Sequence, residues 1–266
     1  MPRLTHRTGA IVATLATLSA VAVFNNGGVQ PVVAGEGDAG ETNDQQGFAV
    51  VELFTSEGCS SCPPADRLLA QIDDFAQASD LPVYALSFHV DYWNQLGWAD
   101  PYSSAQHTAR QRTYAAAAGE RSVYTPQLIV NGEERFVGSD AKRAQSALNA
   151  ALTKPTDAVL RVEATEDAGT LVVRYETATA PEDAVVNVAL VQADGSQSVS
   201  RGENTGRTLR HVNIVRAFRS ASIDPSGAGT VRLEDGPELE GPTRVIVYLQ
   251  DPRTKRIVSA ASTTVS

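Results

Sequence analysis

The sequence predicts an α/β domain followed by an all-β domain. Between Phe48 and Lys154, strand-like and helix-like segments follow one another in the order β-α-β-α-β-β-α, and beyond Pro155 only strand-like runs occur. A chain of 266 residues, 42% of them hydrophobic, is long enough for two domains with cores of their own. Two strands joined through a helix run parallel and a closing hairpin is antiparallel. Residues 48–154 are therefore expected to hold a mixed four-stranded sheet. Residues 155–266 are expected to form an antiparallel sandwich of immunoglobulin-like type.

Each element has its own signal. "FAVVELFT" (Phe48–Thr55) is a short, β-branched apolar run that suits a buried strand. "CPPADRLLAQIDDFAQAS" places Leu68, Leu69, Ile72 and Phe75 at helical spacing. Its prolines fall in the first turn, where a missing N–H costs little. "LPVYALSFHV" (Leu81–Val90) is a second buried strand, and Asp100–Gly119 reads as an Ala- and Arg-rich helix stopped by glycine. "TPQLIVNGEERFVGSD" is a hairpin turning at Asn131–Gly132. Ala141–Lys154 closes the region as a helix with Ala144, Leu148 and Leu152 on one face. Seven strand-like runs then follow, separated by turn signals such as "ADGS" and "DPSG".

The N-terminus has the pattern of an export signal. Arg3, His6 and Arg7 precede the uncharged run Ala10–Phe24, and "VVAG" offers small residues for cleavage after Ala34. Fifteen residues are short of the roughly 20 that a spanning helix needs. Residues 1–34 are thus expected to be a signal peptide, with an uncleaved N-terminal anchor as the alternative, and residues 35–47, which lack large apolar side chains before the strand begins, a disordered leader. The protein is expected to be exported, periplasmic or secreted, with no membrane span once the signal is gone. Its formal net charge of −9 speaks against a nucleic-acid partner, which needs clustered Lys and Arg.

Both cysteines lie in "FTSEGCSSCPPAD", between the first strand and the first helix. Three readings of Cys59–Cys62 compete. A structural staple gains little, because closing so short a loop removes little entropy from the unfolded chain. A structural zinc site takes a second pair of Cys or His ligands at similar spacing, and none is present. A redox pair has the clearest logic. Cys59 near a helix N-terminus would have its thiolate stabilised by unpaired N–H groups and attack a partner disulfide, and Cys62, one turn in, would resolve the product.

The element order, with "CSSC" after the first strand and "YTPQLIVNG" opening the hairpin, resembles a thioredoxin fold in its short form. That resemblance implies a cis peptide at Thr125–Pro126, with Pro126 and Thr125 organising the groove that faces the pair. More narrowly, "VELFTSEGCSSCPPAD", "SFHVDYWNQLGWADPYSS", "RQRTYA", "YTPQLIVNG" and "GENTGRTLRHVNIVR" together resemble one family. It is the secreted bacterial thioredoxin-like family catalogued as domain of unknown function 1223. The resemblance covers nearly the whole mature chain and implies a fold and a compartment more than an activity.

Further candidates follow from placement. Sites on open α/β sheets gather beyond the carboxyl ends of parallel strands. His89, Asp91, Tyr92 and Trp93 are therefore expected near the thiols, lining a substrate groove. Glu52 shares a strand face with Val50 and Phe54 and is expected beneath the pair, where a buried carboxylate would accept the proton of Cys62. Glu57, if its charge is near, would oppose a Cys59 thiolate. In the second domain Arg207, His211 and Asn213 share one strand face, which would either dock on the first domain or on a partner, or stay solvated. The function expected is a thiol–disulfide oxidoreductase needing no cofactor beyond its own disulfide and acting on a protein thiol or disulfide partner. Two alternatives stand beside it: copper held by Cys59, Cys62 and His89, and a non-catalytic binding module.

Overall fold

The computed structural model describes residues 47–156, 158–167, 169–181, 183–234 and 243–265, with the backbone alone of two strands nearer the N-terminus. Those two, β1 (Ala20–Asn25) and β2 (Gly28–Val33), pair antiparallel. Otherwise the expected signal peptide and leader lie outside the described residues.

Strands β3 (Ala49–Thr55) and β4 (Val83–His89) run parallel, joined through helix α1 (Pro63–Ala78). Helix α2 (Ala105–Ala117) follows, its N-terminus capped by Ser104, whose hydroxyl accepts the Gln106 N–H at 3.1 Å. The hairpin β5 (Gln127–Val130) and β6 (Glu134–Val137) pairs antiparallel with β3 through β5. Its turn needs two left-handed residues, and Asn131 (φ 48°) and Gly132 (φ 74°) supply them. Helix α3 (Ala141–Thr153) ends the region. Strands β7 (Leu160–Asp167), β8 (Thr170–Thr177), β9 (Val185–Ser198), β10 (Thr208–Ser222), β11 (Ala228–Leu233), β12 (Thr243–Gln250) and β13 (Ile257–Thr263) make up the rest.

The assembly of these elements corrects the expected fold class. A short thioredoxin-like domain with its own four-stranded sheet, followed by a separate immunoglobulin-like sandwich, is not what forms. Strand β4 would be an edge of that four-stranded sheet, but it pairs in parallel with β10, Ser87 opposite Ile214. The sheet therefore runs on as β13-β12-β9-β10-β4-β3-β5-β6, eight strands of mixed direction. Only β11-β8-β7 form a second, three-stranded sheet, and the described residues are mostly β, with three α-helices. The physical reason is that an edge of unpaired N–H and C=O groups is stabilised by any strand that can cover it. Here the long strand β10 does so.

The long sheet buries both faces. On one, Val50, Phe54, Leu86 and Phe88 pack with Tyr114 of α2 and with Val191, Val215, Ile246 and Tyr248 of the second half. On the other, Val51 and Leu53 pack under Leu68, Leu69 and Ile72 of α1 and Leu148 of α3. Further along that second face, Val186, Val188, Val245 and Val247 pack against Leu171, Val173 and Val231 of the three-stranded sheet. No helix among the described residues is long and apolar enough to cross a membrane.

Candidate functional site

Cys59 and Cys62 are joined as a disulfide, with Cα atoms 5.4 Å apart. The loop from Ser56 to Ser61 places them. The Ser56 carbonyl accepts the Cys59 N–H at 3.2 Å, and the Cys59 carbonyl accepts the Cys62 N–H at 3.2 Å. Cys62 is the N-cap residue of α1, directly followed by Pro63, rather than one turn inside the helix as expected. The Cys62 carbonyl takes the N–H groups of Ala65 and Asp66 at 2.8 and 3.1 Å. Both cysteines are fully buried, while Ser60 and Ser61 between them are exposed.

What covers the disulfide comes from the second half of the chain. Residues 199–207, between β9 and β10, fold over the cysteine loop. Asn204 is fully buried, and its amide donates to the carbonyls of Glu57 and Cys59, both at 2.9 Å. The Asn204 side-chain oxygen accepts from the Arg207 guanidinium at 2.8 Å. The Glu203 carboxylate accepts the Ser60 N–H at 2.9 Å, and the bonds from Ser60 hold that exposed carboxyl below its usual range. The loop closes on itself through Gly206 N–H to Val199 O at 2.8 Å. Gly202 adopts φ 76°, and a Cβ there would lie 3.3 Å from that of Trp98, so the chain turns tightly against the indole.

Beside the disulfide lies a buried polar cluster. Glu57, two residues before Cys59, accepts from Trp98 Nε1 at 2.8 Å and faces His211 Nε2 at 3.3 Å. His211 Nδ1 faces Asp66 Oδ1 at 3.8 Å, an ion-pair distance rather than a hydrogen bond. Asp66 also accepts from the Thr55 hydroxyl at 2.8 Å. Burial alone would push the His211 imidazole down, but the Asp66 and Glu57 carboxylates raise it to about 10, so it is a cation at neutral pH. The His89 and His211 rings meet edge to face at 4.6 Å, and Tyr102 packs edgewise on both. His89 Nδ1 bonds Asp100 Oδ2 at 2.7 Å, while its Nε2 has no hydrogen-bond partner among the described residues. Burial pushes the Asp100 carboxyl up, yet His89 and the N–H groups of Glu57 and Tyr102 outweigh it and bring it down to about 2.

The other sequence-derived candidates divide into those near this centre and those turned away. The Thr125–Pro126 peptide is cis, and Pro126 is buried. Trp93 ties it to the cysteine loop: its Nε1 donates to Thr125 Oγ1 at 2.7 Å, and its Cβ would lie 3.2 Å from one built on Gly58. A Cβ built on Gly138 would meet both Ala65 in the first turn of α1 and Pro126, at 3.1 and 3.2 Å. Asp91 turns instead to α2, accepting the Thr108 hydroxyl at 2.5 Å, and Tyr92 reaches Gln111 at 3.2 Å. Burial pushes the Tyr92 phenol up to about 12.

Glu52 is not beneath the disulfide. It points to the face of the sheet opposite α1, where it pairs with Arg110 Nε at 2.6 Å, accepts from Tyr248 at 3.0 Å and also from Tyr114. Arg110 is enclosed by the rings of Phe88, Tyr114, Phe218 and Tyr248, 4.7–5.6 Å from their centroids. Burial there would lower the guanidinium, and Glu52 more than compensates. This carboxylate neutralises a buried cation and is not free to take a cysteine proton.

Residues missed from the sequence are Asp66, Trp98, Asp100, Glu203 and Asn204. Asp66 follows Cys62 by four residues in the first helical turn, and "GENTG" stood out as a string, so both left a trace. For a metal, no group of three or more His, Cys, Asp or Glu side chains among the described residues is placed to hold one.

A family model described as "Protein of unknown function (DUF1223)" matches residues 50–250. Among solved structures, the crystal structure of a protein from Agrobacterium tumefaciens is similar at 28% identity, covering 83% of this chain and 96% of that one, with a TM-score of 0.61. Two crystal structures of a beta-glucosidase from Listeria innocua, with glucose and with gluconolactone, align at 13% and 12% identity. They cover 74% of this chain and 32% of that one with TM-scores of 0.19, too low to carry an argument. No curated protein matches.

Proposed function

The chain belongs to this family of proteins of unknown function, DUF1223, so any activity has to be argued from the site, and we propose that it exchanges thiols and disulfides at Cys59–Cys62. The observation that carries the proposal is the surroundings of the disulfide. An inert clip in a well-packed core needs only hydrocarbon around it, and a bond closing so short a loop adds little stability. This one sits at a helix N-terminus beside buried Glu57, Asp66 and His211, under a loop held by a few hydrogen bonds. Such a setting adjusts thiolate stability rather than packing.

The exchange balances without a cofactor. A substrate thiolate attacks Cys59 Sγ, the Cys59–Cys62 bond breaks, and Cys62 leaves as a thiolate that takes up a proton. The second substrate thiolate then attacks the substrate sulfur of the mixed disulfide, releasing Cys59. Two electrons pass from a substrate dithiol to the pair, and the reverse sequence reduces a substrate disulfide. Trp93, packed on Gly58 and bonded to Thr125, would border the approach to Cys59 together with Pro126, and loop 199–207 would have to move aside first. Export, which the N-terminal sequence suggests, would place the pair where disulfides persist.

The full burial of both sulfurs favours a second reading, an inert clip in a binding module. One experiment separates the two. Cys62→Ser, which keeps Cys59, is incubated with glutathione disulfide and analysed by intact mass. A glutathione adduct on Cys59, absent from the variant lacking both cysteines, supports exchange. A folded Cys62→Ser protein that gains no adduct favours the clip.

A further inference from the structure

His211 belongs to β10, the strand that extends the sheet beyond β4, yet it is placed among residues of the first half. Its imidazole lies 3.3 Å from Glu57 and 3.8 Å from Asp66, and all three side chains are at least nine-tenths buried. The two carboxylates flank the cysteine loop. Glu57 is two residues before Cys59, and the Asp66 N–H is bonded to the Cys62 carbonyl at 3.1 Å. Among the described residues, the other ionisable groups around the imidazole are His89, Asp100 and Tyr102, and Asp100 is already engaged by His89 and two backbone N–H groups. Glu57 and Asp66 therefore have His211 as their shared counter-ion.

Position explains how this comes about. His211 faces Gly195 of β9 in the antiparallel register. A Cβ on Gly195 would fall 2.8 Å from the Tyr102 hydroxyl oxygen, so the glycine leaves room for Tyr102 beside the two histidines. The polar face noticed in "RTLRHVN" thus docks on the first half through His211, while Arg207 lies outside the strand and is exposed.

We propose that His211 is a positioning residue of the second half that sets the redox poise of Cys59–Cys62 by neutralising Glu57 and Asp66; this rests on the exchange reading above. Reduction of the pair by a substrate dithiol breaks the Cys59–Cys62 bond, forms the substrate disulfide, and leaves a thiolate on Cys59 and a thiol on Cys62, with one proton released. That new negative charge appears beside two carboxylates. With the imidazolium in place the trio carries one net negative charge, and without it two. Removing His211 should therefore disfavour the reduced form, and removing the Glu57 charge should favour it.

The test is the equilibrium of the folded protein with glutathione buffers at pH 7, read by alkylation of Cys59 and Cys62, for wild type, His211→Gln and Glu57→Gln. His211→Gln is expected to shift the equilibrium at least tenfold toward the disulfide, about 30 mV for a two-electron couple. Glu57→Gln is expected to shift it the other way. Loss of packing alone would not produce opposite signs, and should His211→Gln fail to fold, the sign from Glu57→Gln decides. Shifts below twofold, or in the same direction, overturn the proposal while leaving exchange intact. A wild-type pair with no reversible transition overturns both.

Discussion

Asn204→Ala should open the roof over the disulfide. In the closed state the Asn204 amide satisfies two buried carbonyls, those of Glu57 and Cys59. Truncation strands both until the loop lifts and water reaches them, at a cost of about 1–3 kcal/mol for each stranded group. Allowing for partial relaxation, the closed loop loses about 2–4 kcal/mol relative to the open one, roughly 30- to 700-fold in population at 1.4 kcal/mol per decade. If a reductant reaches the sulfurs only through the open form, the reduction rate rises by that factor, provided reclosing is fast. The assay is reduction of Cys59–Cys62 by excess dithiothreitol, quenched by alkylation and followed by mass, on wild type and Asn204→Ala. Repeating it in low urea separates loop opening, which exposes little surface and responds weakly, from global unfolding. Glu203→Gln, which weakens one exposed contact to Ser60, should accelerate reduction less. A folded Asn204→Ala protein reduced within twofold of the wild-type rate would refute the argument that this loop controls access.

Further perturbations follow from the geometry. Glu52→Gln leaves Arg110 buried without its counter-charge and should cost about 3–5 kcal/mol in denaturant unfolding; a loss under 1 kcal/mol would mean that the aromatic cage alone supports the guanidinium. Gly195→Ala puts a Cβ 2.4 Å from Ile214 Cδ1 and 2.8 Å from the Tyr102 hydroxyl oxygen, and should cost about 1–3 kcal/mol from overpacking, with a melting temperature unchanged from wild type as the contrary result. Burial pushes the His107 imidazole down to about 4, whereas an unfolded histidine titrates near 6.5, so its contribution to stability is complete above pH 6.5 and lost as pH falls through 4. His211, raised to about 10, contributes fully below pH 6.5 and loses its contribution as pH rises through 10. Unfolding free energies measured across pH should show His107→Gln flattening the acid limb and His211→Gln the alkaline limb; unaltered slopes would contradict both assignments.

Local chemistry was legible in the sequence and long-range pairing was not. Asn131–Gly132 announces its hairpin because a tight turn between antiparallel strands demands left-handed residues there. Helix α1 is announced by Pro63 and by the spacing of Leu68, Leu69 and Ile72. Glu52 was placed on the correct strand face, but its neighbour on that face is Arg110, which comes from a helix 58 residues away. Period-two patterning gives a side chain its face and says nothing about what covers that face. The same limit hid the β4–β10 pairing, since a strand between two sheets' worth of partners carries no mark of which edge it will cover. It also hid the bond to the Cys59 carbonyl from Asn204, 145 residues along the chain.

The measurement that bears most directly on this account is the redox equilibrium of the wild-type protein against glutathione buffers, with alkylation of Cys59 and Cys62 as the readout and circular dichroism as the check on folding. The account predicts a reversible two-electron transition at a defined potential, reached slowly because loop 199–207 has to open. A pair that stays oxidised across the whole range in a folded protein, even with Asn204→Ala in place, would contradict it.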